Sequence, residues 1–141
     1  MNRLDGKVAL ISGAARGIGA ETAQLTVEAG ARIIIGDILD ERGRETARDI
    51  GGDSAAVFRH LDVTSEEDWN SRIGVAVARW GGLDILVNNA SLFLGKGIEE
   101  ASLDEWHRLC SVNLTGVFLG TKLAVPALRD RGRASRMAAP S

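Results

Sequence analysis

The chain of 141 residues contains no tyrosine at all and a single cysteine. Without tyrosine, no step can use a phenol to move a proton. A lone Cys110 excludes an internal disulfide and fits a reducing compartment. Contiguous apolar runs fall well short of the ~20 residues that cross a bilayer. The opening Met1 to Lys7 is polar, with no apolar stretch behind it, so no secretory leader is expected. No charge of one sign dominates: 17 Lys and Arg stand against 19 Asp and Glu, for a net charge of −2. Nucleic acid and anionic membrane would therefore meet no basic field, and neither is expected as a partner. His60 and His107 have no neighbours at metal-ligand spacing, so no metal is expected. The expectation is a soluble, cytoplasmic protein.

What is present is an alternation. Val8 to Ile11 is a short apolar run of the kind that forms a parallel strand buried on both faces. From Gly17 to Ala29 the pattern is helical, with Ile18, Thr22, Leu25 and Ala29 on one stripe and Gly30 at the stop. Arg32 to Gly36 is a second strand, closed by Asp37. A short charged helix, Asp40 to Ile50, ends at Gly51-Gly52. Ala55 to His60 is a third strand. Ser65, with Asp68 three residues on, resembles a capping arrangement. The helix after it carries Trp69, Ile73, Val77 and Trp80 at helical spacing. Asp84 to Asn88 is a fourth strand. A long helix follows from about Leu103 to about Leu128, and Pro126 either kinks or ends it. The three tryptophans read as packing anchors. Strand and helix in strict alternation imply βαβ crossovers and an α/β fold with helices on both faces of a parallel sheet. Residues 132–141 show no periodicity and read as an irregular tail on a domain of residues 1–131.

The richest motif is Ser12-Gly13-Ala14-Ala15-Arg16-Gly17-Ile18-Gly19. It follows a strand, opens a helix, and has an acidic residue about 20 positions on, the context that gives a glycine fingerprint its meaning. Gly13 suits turn angles that a side chain resists. Gly17 and Gly19 let backbone approach a pyrophosphate and let the helix pack close to the sheet. The helix N-terminus supplies unpaired N–H groups and a positive dipole end. Asp37, at the end of the second strand, can accept hydrogen bonds from adenosine ribose hydroxyls and repel a 2′-phosphate, which favours NAD over NADP. Arg16 pulls the other way, since a guanidinium could pair with that phosphate.

These residues, followed by Leu61-Asp62-Val63-Thr64, Asn88-Asn89-Ala90 and Val112-Asn113-Leu114-Thr115-Gly116, resemble the short-chain dehydrogenase/reductase family, in its hydroxysteroid and cyclic-alcohol branch. The resemblance covers roughly residues 4–130. It implies a Rossmann-like doubly wound sheet of strand order 3-2-1-4 and hydride transfer between a nicotinamide cofactor and a secondary alcohol or ketone. It implies cofactor contacts from Ser12, Gly13, Arg16, Gly17, Ile18, Gly19, Asp37, Asp62, Val63, Asn89, Ala90 and Ser91. Asn113 corresponds to the asparagine of the family's catalytic tetrad, where it accompanies a helix distortion. An amide on an apolar stripe is otherwise odd, because burying it unpaired is costly.

Two departures stand out. Ser91 replaces the glycine that usually follows Asn-Asn-Ala, and its Cβ would narrow the space beside the nicotinamide ribose. The family's later serine and Tyr-x-x-x-Lys have no counterpart, so the chain reads as truncated after the fourth strand and the long helix, and is expected to be inactive by itself. The alternatives are a non-catalytic dinucleotide-binding or interaction module and a frameshifted fragment without function. Self-association through an exposed strand edge or helix face is expected.

Overall fold

A computed structural model describes residues 3–138. Four parallel strands, β1 (Val8–Ser12), β2 (Arg32–Asp37), β3 (Ala56–His60) and β4 (Ile85–Val87), lie in the order β3-β2-β1-β4. The order follows from two crossovers that run one way from β1 and a third that returns to its other side. Among the described residues β4 pairs with β1 alone.

The strands form because their residues are apolar on both faces. Val8, Leu10 and Ile34 belong to one core, with Trp69, Ile73 and Ala124. Ala9, Ile11, Ile33 and Ile35 belong to the other, with Ala23, Ala47 and Phe58. This period-two split is what a strand with two buried faces requires. Helices α1 (Gly17–Glu28) and α2 (Asp40–Ile50) cover the second core. Helices α3 (Glu66–Trp80) and α5 (Gly116–Ala138) cover the first.

On α1 the inward face is built from small residues. Gly19 and Ala23 are buried, while Ile18 is 81% exposed and Leu25 is exposed too. The expected stripe of Ile18 and Leu25 is therefore turned away from the sheet, because close approach selects the small residues. On α3, Trp69, Ile73 and Ala76 are buried and Val77 is exposed. Ser65 caps α3 by accepting from the Asp68 backbone N–H at 3.1 Å. The Asp68 carboxylate does not return the bond. It accepts from the Asp62 N–H at 2.9 Å and so ties the end of β3 to the start of α3.

The long helix is divided. Helix α4 (Leu103–Cys110) passes through a π-helical turn, Ser111–Thr115, into α5. Pro126 lies inside α5 and ends nothing. The helix continues to Ala138, so the irregular tail expected for residues 132–141 is helical through 138. Residues 139–141 lie outside the described residues. The extension is held by Arg131, whose guanidinium donates to the Trp80 and Gly6 carbonyls at 3.4 and 3.2 Å and lies 3.4 Å from Asp84. By length and composition, the stretch Leu103–Ser135 could cross a membrane, although no contiguous run suggests it. Lys122 is its one charge between Leu109 and Leu128. Its inner face is core: Ala124 is fully buried, and a Cβ at Gly116 or Gly120 would meet Val63 or Trp69. Trp106 is 54% exposed and anchors nothing, unlike Trp69, which is fully buried.

Candidate active-site cleft

A cleft of about 870 Å³ lies at the carboxyl ends of the strands, where the chain turns from β1 to β2 on one side and to β4 on the other. Ligands of open α/β sheets bind at such a switch point.

The two sides of the switch are stitched together. The Ser12 hydroxyl accepts from the Asn89 and Ala90 N–H groups, both at 3.1 Å. The Asn89 amide donates to the Gly13 carbonyl at 3.0 Å. Ser12 is fully buried in this role and does not line the cleft. Its hydroxyl thus latches β1 to the segment that follows β4. Gly13 sits at φ 68°, and a Cβ there would lie 2.7 Å from the Ala90 Cα.

The remaining glycines divide their roles. A Cβ on Gly19 would collide with the Gly13 carbonyl oxygen, so Gly19 lets α1 sit against its own loop. Gly17, at φ 62°, has nothing within 4 Å of a built Cβ and opens onto the cleft. No side chain caps α1 and no acidic residue lies in its first turn. Its leading N–H groups therefore suit an anion, and the open space over Gly17 suits one of phosphate size.

Asp37 is 9% exposed. One carboxylate oxygen accepts from the Ala15 N–H and the other from the Leu39 N–H, each at 3.0 Å. These bonds hold the carboxylate at the cleft wall, and each oxygen retains capacity for a further donor. Asp62 stands at the end of β3. One of its oxygens accepts from both the Thr64 hydroxyl (2.7 Å) and the Thr64 N–H (2.9 Å). The hydroxyl bond is the main reason its carboxyl is held below the usual range. Partial burial opposes the shift, and the Thr64 N–H, His60 and Arg108 reinforce it.

Asn113 lies in the π-helical turn. Its amide accepts from the Leu92 N–H at 2.7 Å and donates to the Leu92 carbonyl at 2.9 Å. This two-bond clamp fixes the loop after β4 against the helix and satisfies an amide that would otherwise be costly to bury. Asn113 does not itself line the cleft.

Gly13, Arg16, Gly17, Ile18, Gly19, Asp37, Asp62, Val63, Asn89, Ala90 and Ser91 all line the cleft together. Sequence reasoning missed Ile38, Leu39, Leu61, Thr64, Leu92, Arg108, Ser111 and Val112, which line it too. Most are chain neighbours of residues already singled out. Arg108, Ser111 and Val112 could have been found by asking what the helix leading to Asn113 passes over. His60 pairs with Asp40 at 2.7 Å on the surface, and no metal-holding group of three ligating side chains occurs among the described residues.

With this geometry established, residues 7–136 match the family model described as short chain dehydrogenase. The chain belongs to the short-chain dehydrogenase family. It is 48% identical over 138 residues to a trans-4-hydroxycyclohexanecarboxylate dehydrogenase from Sinomonas cyclohexanicum, with 93% of this chain and 53% of that one covered. It is 47% identical over 133 residues to a 3-alpha-(or 20-beta)-hydroxysteroid dehydrogenase from Mycobacterium bovis, covering 94% of this chain and 50% of that one. Among solved structures, a short-chain dehydrogenase/reductase of the glucose/ribitol dehydrogenase type from Brucella melitensis superimposes with a TM-score of 0.85. That match has 33% identity and covers 89% of this chain and 53% of that one. The chain spans about half the length of the curated relatives it matches. The family is one of oxidoreductases that bind nicotinamide dinucleotides, and the sheet order 3-2-1-4 is its Rossmann-like half.

Proposed function

We propose that this chain binds NAD in preference to NADP, as the cofactor half of an oxidoreductase acting on a secondary alcohol or the matching ketone. The observation that carries the reading is an uncapped helix N-terminus beneath an open Gly17, facing a buried carboxylate at the end of β2. In this reading the leading N–H groups of α1 hold the pyrophosphate. Asp37 accepts from the adenosine ribose hydroxyls, and its charge repels a 2′-phosphate. Arg16 is the counter-signal, but it is exposed while Asp37 is fixed by two backbone donors. Asp62 and Val63 border the adenine. Asn89, Ala90 and Ser91 border the nicotinamide half, and Asn113 positions their loop through Leu92. When bound, the nicotinamide ring supplies or takes up a hydride. The printed names of the relatives suggest an alicyclic alcohol as substrate for a full-length protein of this type.

For the 141 residues alone we propose binding without turnover. Positioned acid–base groups typically contribute about 10²–10⁴-fold. The neutral amide of Asn113, already clamped to Leu92, exchanges no proton near pH 7. A cytoplasmic location fits the single cysteine, and self-association through the open edge of β4 is part of the same reading. Titration calorimetry with NAD and NADP tests it. Tighter binding of NAD is expected, and Asp37→Ala should weaken NAD and reduce the discrimination. Tighter binding of NADP by the unaltered chain would overturn the cofactor assignment. Steady NADH formation from cyclic secondary alcohols, lost on mutation within this chain, would overturn the absence of turnover.

A further inference from the structure

Two groups line the same cleft without pairing. Asp62 spends one carboxylate oxygen on Thr64, and the other has no hydrogen-bond partner among the described residues. Arg108, in the last turn of α4, is exposed, lines the same cleft, and makes no hydrogen bond or ion pair among the described residues. The two line one cleft, and the guanidinium is the least of the charges that hold the Asp62 carboxyl low, yet they form no direct ion pair among the described residues. The arrangement is built in. A Cβ on Gly116 would lie 2.7 Å from Val63, so the π-helical turn presses on the residue beside Asp62. The Asn113–Leu92 clamp fixes that turn, and Arg108 projects from the helical turn before it.

An acceptor and a five-proton donor that line one cleft unpaired suit a group that offers a donor beside an acceptor. The edge of adenine does so, with an amino group next to a ring nitrogen. We propose that Arg108 is a specificity-determining residue that reads the adenine of the bound dinucleotide together with Asp62. Asp62 accepts from the amino group, and Arg108 donates to the ring nitrogen. This rests on the cofactor reading above and adds a residue to it. A base carrying a keto oxygen in place of the amino group would set that oxygen against the Asp62 carboxylate and bind less well.

Calorimetry with NAD, nicotinamide hypoxanthine dinucleotide, NADP and nicotinamide mononucleotide tests the proposal on the unaltered chain, Arg108→Ala, Arg108→Lys and Asp37→Ala. The unaltered chain should prefer NAD to the hypoxanthine analogue. Arg108→Ala should weaken NAD about tenfold, the scale of a hydrogen bond from a charged donor. It should leave the mononucleotide and the melting temperature unchanged, because Arg108 is exposed. Arg108→Lys should fall between. If Asp37→Ala weakens NAD while Arg108→Ala does not, the cofactor reading stands and the role of Arg108 is overturned. Loss confined to NADP, or shared equally by the mononucleotide, also overturns it. If the unaltered chain binds no dinucleotide at all, the cofactor reading fails and takes this inference with it.

Discussion

Helices α1 and α4 begin in opposite ways. At α4, Ser102 accepts from the Glu105 N–H and the Glu105 carboxylate accepts from the Ser102 N–H, each at 3.1 Å. Asp104 and Glu105 add negative charge to the first turn. At α1, the residue in the capping position is Arg16, extended at φ −154°, with no side-chain bond and no acidic neighbour. Every helix leaves its leading N–H groups unpaired, and they must be satisfied somehow. Helix α4 satisfies them itself, as a structural helix does. Helix α1 leaves them toward a cleft, with glycine where a side chain would intrude. The stability that a cap would have contributed, about 1 kcal/mol, is forgone where a ligand phosphate can take its place.

The strongest way to break that contrast is to close the α1 end sterically. In Gly19→Val the Cβ collides with the Gly13 carbonyl oxygen and lies 2.9 Å from the Ala14 Cα. Both are backbone atoms, so the loop itself must shift. We expect a stability loss of about 1–3 kcal/mol, the usual cost of overpacking, together with loss of measurable NAD binding. Chemical denaturation and calorimetry check the two effects separately. Normal affinity in a folded Gly19→Val chain would show that the loop is not the phosphate seat.

The α1 contrast was half legible in the sequence. The glycine spacing, Asp37 and the strand alternation are local signals, and each is carried by side-chain type at a fixed spacing. They indicate the α/β class, and the family resemblance they carry supplies the sheet order and most of the cleft wall. The division between Gly17 and Gly19 was not legible, because it depends on how the loop folds back: the Gly13 carbonyl, Ala14 and the Asn89 amide crowd Gly19, and nothing crowds Gly17. The latch made by Ser12 was not legible either, since the Asn89 and Ala90 N–H groups from which its hydroxyl accepts lie far along the chain. The amide of Asn113 was recognisable as odd, but its partner Leu92 is backbone and leaves no trace in residue type. The helix beyond residue 131 was hidden because Arg131 holds it through carbonyls at Trp80 and Gly6, again without a periodic pattern.

A milder test reverses the sign of one effect and keeps the other. Arg16→Asp places an aspartate at the extended residue that opens α1. It should cap the unpaired N–H groups and complement the helix dipole, raising stability by about 1 kcal/mol. The same charge occupies the proposed phosphate seat, so NAD binding should fall by an order of magnitude or more. Arg16→Asn caps without charge, and separates the loss of Arg16 from the repulsion by aspartate. Thermal melts and calorimetry on the pair decide the matter. A stabilised Arg16→Asp chain that binds NAD normally would show that the uncapped N-terminus serves no anion.

The smallest expected effect lies at the other helix. Ser102→Ala removes a side chain that caps α4 well away from the cleft, and should cost about 1 kcal/mol without changing NAD affinity. Its partner Glu105 adds a pH signature. The Lys96 ammonium, bonded to the Glu105 carboxylate at 2.6 Å, is the first cause that holds this carboxyl below its usual range, and the Ser102 N–H adds to it. A carboxyl whose folded value is depressed contributes its stability above its unfolded value, and the contribution is lost as pH falls through the folded one. The α4 box should therefore be intact at neutral pH and open only in acid, below the range where ordinary carboxyls titrate. Hydrogen exchange at the Trp106 N–H, which donates to the Ser102 carbonyl at 3.0 Å, reads this directly. Protection should fall in Ser102→Ala at neutral pH and in the unaltered chain only on acidification. If Ser102→Ala instead weakened NAD binding, the two helix starts would not be separate devices, and the α4 cap would have to be counted as support for Arg108 in the cofactor seat.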